Sequence, residues 1–143
     1  MQLFSEHVTT KTLPQTLSYL KKLAPSVLRT TCHNDLHLPF RKEVTDTEIG
    51  HLFEHLILDY CSQHSEDSTR TYYGLTEWDW HVDKRGTFCI SVSLGETEQD
   101  LLYRAIAHSH TVLEKLFSSV DTLAARQPIV SSSHTKAVVA ASV

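Results

Sequence analysis

The sequence predicts an α+β domain in which an antiparallel sheet has helices packed on one face. Two segments, residues 45–63 and 98–118, place apolar residues at helical spacing, while residues 75–82 and 87–94 alternate in character as strands do. The connection over residues 83–86 ends in glycine, which suits a tight hairpin turn. Helices that are segregated from a hairpin along the chain are typical of this class. We therefore expect the first of the two helices to pack centrally on the sheet.

The N-terminal third of the chain is predicted to contain a short strand followed by a helix. A short strand is predicted over residues 2–9. A helix is predicted to begin at Pro14, because proline suits the first helical turn, and to end before Pro25. Residues 26–44 are ambiguous: residues 27–32 could form a strand, followed by a loop around Pro39.

Local signals also predict the boundaries of the central helix and of the domain. Thr45 and Glu48 have the spacing of a capping box, so we expect the helix to begin near Asp46. A chain of 143 residues, of which 41% are apolar, is long enough for one core. We expect a single domain over residues 1–120 and a flexible tail over residues 121–143, where the periodicity ends.

Composition and charge exclude several classes of function. The net charge is −4 and the basic residues form no cluster, so we expect no nucleic-acid binding. No apolar run approaches the ~18 residues of a membrane span, and no secretion signal begins the chain. Cys32, Cys61 and Cys89 form no C-x-x-C pair and are interpreted as reduced, mostly buried thiols, with Cys89 in the core. We therefore expect a cytoplasmic protein.

The predicted central helix carries the motif His51-x-x-Glu54-His55. Side chains at positions i, i+3 and i+4 share one helix face, so these three can converge on one point. Two imidazoles four residues apart suit Zn²⁺, and a neighbouring carboxylate can take a proton from metal-bound water. The motif predicts a zinc centre in which Glu54 is the catalytic base.

A catalytic zinc needs a third protein ligand beside His51 and His55. Glu77 is the first choice, because it lies near the start of the hairpin and shares a strand face with Asp79 and His81. Asp79 and His81 on that face are alternatives, and further ones lie on the last helix: His108, His110 and Glu114.

Four segments follow the order seen in the N-terminal domain of cyanophycin synthetases: residues 48–56, 73–76, 86–93 and 102–103. The first contains Gly-His-x-x-Glu-His, and in the second Leu75 stands where that family has the arginine of Gly-Arg-Thr. The chain resembles this domain over residues 45–117. Because the other two modules of those enzymes do not fit in 143 residues, we expect a free-standing relative.

The resemblance implies a slow metallopeptidase-like hydrolase, with His51 and His55 as metal ligands and Glu54 as the base. We expect a peptide or small-molecule substrate, with cyanophycin-like or arginine-bearing peptides favoured, and leave a homo-oligomer open. The alternative is a non-catalytic binding or tethering module related to the same domain.

A second resemblance concerns the architecture. S-ribosylhomocysteine lyases also place H-x-x-E-H on a helix before a hairpin and a long helix, which supports an inverzincin-like arrangement. Their third ligand is a cysteine after the last helix, and no cysteine follows Cys89 here. We therefore expect the architecture without that activity.

Overall fold

The computed structural model describes residues 1, 7–32 and 38–124, and these ranges form a mixed α+β fold. A two-stranded antiparallel sheet packs against two helices, which confirms the predicted class. The helices are α1 (Thr16–Leu23), α2 (Phe40–Glu43), α3 (Ile49–His64) and α4 (Gln99–Ala124), and the strands are β1 (Gly74–Glu77) and β2 (Cys89–Val92). Short 3-10 turns lie at Thr10–Thr12, Val27–Arg29 and Glu96–Glu98.

Helix α3 is the centre of the fold, as predicted. It contacts α4 and both strands. Its apolar residues, such as Leu52 and Leu56, are buried in the core. The polar face is also buried: the exposed fraction is 6% for Glu54 and 3% for His55. The helix therefore carries its motif between the sheet and the N-terminal part of the chain rather than toward solvent.

The prediction that α3 begins near Asp46 is wrong by three residues. Glu48 is extended and forms an isolated antiparallel bridge with Thr9, and the N–H of Ile49 donates to the Val8 carbonyl. This pairing occupies the backbone that a longer helix would need. The capping box is also absent, because the Thr45 hydroxyl donates to the Lys42 carbonyl instead.

The hairpin exists, but its strands are shorter than predicted. In the register of the sheet, Gly74 lies opposite Val92 and Glu77 opposite Cys89. The segment after β1 turns instead of continuing, since the N–H groups of Val82 and Asp83 both donate to the Asp79 carbonyl. Gly86 has the expected positive φ, 86°, but it lies in a connection over residues 78–88 rather than in the tight turn predicted over residues 83–86.

A close approach between Gly50 and Phe88 docks the hairpin on α3. A β-carbon built at Gly50 would lie 2.5 Å from the Phe88 ring. Phe88 is 1% exposed, and its backbone exchanges two hydrogen bonds with Met1 at 2.8 and 2.6 Å. Only glycine leaves room for this aromatic contact at the start of α3.

The structure also differs from the predictions for Cys89 and for the end of the last helix. Cys89 is exposed rather than in the core, because β2 turns Ile90 and Val92 inward and Cys89 outward. The last helix extends to Ala124, beyond the predicted boundary of the tail. The segments over 2–6, within the predicted first strand, and over 125–143, within the predicted tail, lie outside the described residues. In the described ranges, no helix combines the length and the apolar character needed to cross a membrane.

Candidate metal centre

Three side chains that can ligate a metal converge at the N-terminal half of α3. The ligand atoms of Cys32, His51 and His55 all lie within 4.8 Å of one another, and Cys32 Sγ is 3.3 Å from His51 Nε2. It is the single such group of histidines, cysteines and carboxylates in the part of the chain that the structure describes. Two imidazoles, one sulfur and a position left for water form a ligand set that suits catalytic zinc.

The environment of His51 directs its Nε2 toward Cys32. The other ring nitrogen, Nδ1, lies 2.9 Å from Thr47 Oγ1 and 3.5 Å from Glu43 Oε1. Because a carboxylate can only accept, this arrangement favours the proton on Nδ1 and a lone pair on Nε2. A carboxylate behind a histidine is a common support for a metal ligand, because it fixes both tautomer and ring orientation.

A threonine fixes the same tautomer in His55, with the proton on Nδ1. The Thr30 hydroxyl donates to the Val27 carbonyl at 2.7 Å, which uses its single hydrogen. Its 2.8 Å contact with His55 Nδ1 is therefore one in which the imidazole N–H donates. The other ring nitrogen of His55, Nε2, therefore keeps a lone pair that can bind a metal.

Burial also keeps His55 uncharged. The ring of Phe40 stacks on it with centroids 3.7 Å apart. Desolvation, and then the nearby His51, lower the pKa of His55 to about 3 from its ordinary value of 6.5. His55 is thus neutral at physiological pH, the form that coordinates a metal.

Glu54 lies on α3 between the two histidines and faces β1. Its Oε2 accepts a hydrogen bond of 2.5 Å from Thr76 Oγ1. Its other oxygen, Oε1, lies close to Gly74: a β-carbon built on Gly74 would be 2.6 Å from it. Among the described residues, Oε1 itself accepts no hydrogen bond. The carboxylate is therefore held in place at one oxygen and available at the other.

A cleft of about 770 Å³ contains the whole arrangement. Its walls include the three candidate ligands and Glu54. Tyr73 and Trp78 on its rim are 62% and 42% exposed. A cleft of this size can take a small molecule or a short peptide segment.

The predicted third ligand, Glu77, is not part of this group. Alternate residues of β1 point to opposite faces, so Thr76 reaches Glu54 while Glu77 is exposed on the other side. Asp79 and His81 are exposed in the turn after β1. The alternatives on α4 are also exposed and lie outside the group: His108, His110 and Glu114.

Cys32 lies outside the motif helix, in a segment over residues 32–37 that contains two histidines but matches no known ligand spacing, so it received little weight as a candidate ligand. The sequence placed it with Cys61 and Cys89 among structural thiols, and the structure finds it half-buried beside His51. Testing every cysteine as the third partner of His51-x-x-Glu54-His55, rather than only those after the last helix, would have included it.

Comparison with known protein families, with curated proteins and with solved structures finds no match to this chain.

Proposed function

We propose that this protein is a metal-dependent hydrolase of amide or peptide bonds. Cys32, His51 and His55 would hold a zinc ion, and Glu54 would be the general base. The convergence of three ligand atoms beside a buried carboxylate, within one open cleft, carries the proposal. A bound zinc would supply Lewis acidity and lower the pKa of a water molecule.

The residues present fit this ion. Tetrahedral zinc holds nitrogen and sulfur ligands roughly 3.3–3.6 Å apart, as its bond lengths require. The contact of 3.3 Å between Cys32 Sγ and His51 Nε2 is already close to that spacing, and all three ligand atoms lie within 4.8 Å of one another. His55 needs to lose no proton, whereas the Cys32 thiol must lose one, which makes zinc affinity rise with pH.

Glu54 has the freedom that a general base needs. Thr76 fixes one of its oxygens, which leaves Oε1 to take the proton of the attacking water. The oxygen of that water would form a bond to the carbonyl carbon of the amide. The same carboxyl group would then return the proton to the leaving nitrogen as the carbon–nitrogen bond breaks.

We further propose an inverzincin-like relationship to the N-terminal domain of cyanophycin synthetases. The order of motif helix, hairpin and long helix supports it. Under this proposal, arginine-bearing or cyanophycin-like peptides are the favoured substrates. The exposed rings of Tyr73 and Trp78 at the rim of the cleft support that choice, since aromatic faces attract guanidinium groups.

A non-catalytic binding module is the second candidate. One observation favours it: Thr30, Thr47 and Thr76 already give hydrogen-bond partners to His55, His51 and Glu54. Such a network is stable without a metal. The two candidates differ in whether the purified protein hydrolyses amides when it is loaded with zinc.

The substitution Glu54→Gln tests the proposed mechanism, with Glu77→Gln as its matched control. Glutamine keeps the shape and the bond from Thr76, so zinc content and folding should not change. Hydrolysis of a panel of fluorogenic peptide amides, including arginine-bearing ones, should fall by ~10²–10⁴-fold. Glu77→Gln makes the same chemical change on the exposed face of β1 and should retain full activity and zinc.

Two outcomes would contradict the proposal. A zinc-loaded Glu54→Gln protein that hydrolyses as fast as the wild type would exclude Glu54 as the base. Loss of zinc in Glu77→Gln would restore Glu77 as a ligand in place of Cys32.

A further inference from the structure

A second pocket, of about 640 Å³, adjoins the candidate metal centre. The 3-10 turn at Val27–Arg29 and helix α2 form its two sides, and these elements are in contact. Arg29, Arg41 and Lys42 all line it, and its lining includes no aspartate or glutamate. Three cations therefore face one concavity in a chain whose net charge is −4.

These cations have no carboxylate partner among the residues that the structure describes. No salt bridge within 4.0 Å involves Arg29, Arg41 or Lys42, whereas Lys11 and Arg70 are both paired. Asp59 interacts with Arg29 only as a more distant charge. Like charges that share a concavity repel one another, so an anion that enters would relieve this repulsion.

The pocket shares two lining residues with the cleft that contains the candidate metal centre. Arg29 and Thr30 line both cavities. Thr30 also contacts the candidate ligand His55, at 2.8 Å from its Nδ1. Thr30 therefore lies between the pocket and a candidate ligand.

We propose that this pocket is a subsite for a carboxylate of the substrate, held by Arg29, Arg41 and Lys42. Arginine suits this role because its planar donors match the two oxygens of a carboxylate. The carboxylate could belong to an acidic side chain or to the C-terminus of a peptide. The role as a substrate subsite rests on the proposed hydrolase, whereas the binding of a carboxylate does not.

Equilibrium binding of three labelled peptides of equal length tests this proposal in the hydrolysis-deficient Glu54→Gln protein. One peptide contains aspartate and is amidated, the second replaces that aspartate with asparagine, and the third has neutral side chains with a free C-terminus. We expect a carboxylate peptide to bind at least ~10-fold more tightly than the asparagine peptide, since hydrogen bonds between charged groups are stronger than those to a neutral amide. The preference should weaken as salt is added, because the cations are exposed.

Substitutions of the cations test whether the preference for a carboxylate arises in this pocket. The double substitution Arg41→Gln with Lys42→Gln should abolish it, and Arg41→Glu should shift it toward a peptide with lysine in place of aspartate. Arg104→Gln and Lys115→Gln, on the exposed surface of α4 outside both cavities, should leave it unchanged.

The outcomes separate the two proposals. A preference for the aspartate peptide identifies a side-chain carboxylate, and a preference for the free C-terminus identifies a terminal one; both support the subsite. Equal affinities, no binding of any peptide, or a preference that survives the double substitution would overturn it. Failure of hydrolysis in the wild type, with the preference intact, would remove the hydrolase and leave the carboxylate site.

Discussion

At the scale of single residues, the neighbours of the candidate ligands determine what the ligands can do. Thr30 and Thr47 contact the Nδ1 atoms of His55 and His51, which leaves both Nε2 atoms for a metal. The motif alone could not predict these partners, because they come from segments distant from α3 or from the turn that precedes it.

Thr30→Val should weaken zinc binding without changing the ligands. Valine keeps the shape of threonine but cannot accept the N–H of His55, and loss of such a support lowers metal affinity by ~10–100-fold. Thr45→Val is a matched control, because the Thr45 hydroxyl also donates to the carbonyl three residues earlier but contacts no ligand. Competition with a zinc chelator measures the affinity, and equal affinities in the two variants would contradict this role for Thr30.

At the scale of elements, the packing of the hairpin on α3 brings β1 to the motif. Gly50 and Phe88 make that contact, while Thr76 and Glu54 form the hydrogen bond between the two elements. The position of the Glu54 carboxylate therefore depends on how the hairpin docks.

Gly50→Ala should destabilise the fold by about 1–3 kcal/mol, the usual cost of overpacking a core. The added carbon would lie 2.5 Å from the Phe88 ring, which is buried and cannot move outward freely. Thermal and urea denaturation measure the loss. Adding Phe88→Leu should recover part of it, and strictly additive effects of the two substitutions would contradict a direct clash.

The sequence predicted those elements whose signals are local. Helical spacing found α3 and α4, and alternation with Gly86 found the hairpin. The start of α3 was misplaced because a bridge to Thr9, far away in the chain, competes with the helix. Cys32 was discounted as a candidate ligand for a similar reason, since tertiary packing alone brings it to His51.

At the scale of the whole molecule, the N-terminal segments form one wall of the site. They also contact a buried carboxylate of α3, that of Asp59. Ser26 and Gln63 both donate to Asp59 Oδ2, at 2.6 and 2.7 Å. Burial nevertheless raises the pKa of Asp59 above its ordinary value of 3.8, although these bonds and the charges of Arg29 and His108 oppose the shift. Ionised Asp59 is therefore a source of pH-dependent instability.

Asp59→Asn should be more stable than the wild type at neutral pH. The folded protein binds the Asp59 proton more tightly than the unfolded chain does, so stability is lost as pH rises from 3.8 through the raised pKa. Asparagine carries no charge, and its amide oxygen can still accept both bonds. Melting temperatures over a pH series should show an advantage for the variant that fades below the ordinary carboxyl pKa; an advantage that persists there would refute this explanation.

The zinc content of the purified protein tests the metal centre most directly. Cys32→Ser changes a candidate ligand, and Cys89→Ser makes the same change at an exposed cysteine outside the candidate centre. The third cysteine, Cys61, stays a thiol because burial raises its pKa to about 11. We expect elemental analysis to find one zinc per chain in the wild type and in Cys89→Ser, and little in Cys32→Ser. Cobalt-loaded protein should show a sulfur-to-metal charge-transfer band only when Cys32 is present. A wild-type protein that cannot be loaded with metal, or a Cys32→Ser protein that retains zinc and the band, would contradict the centre.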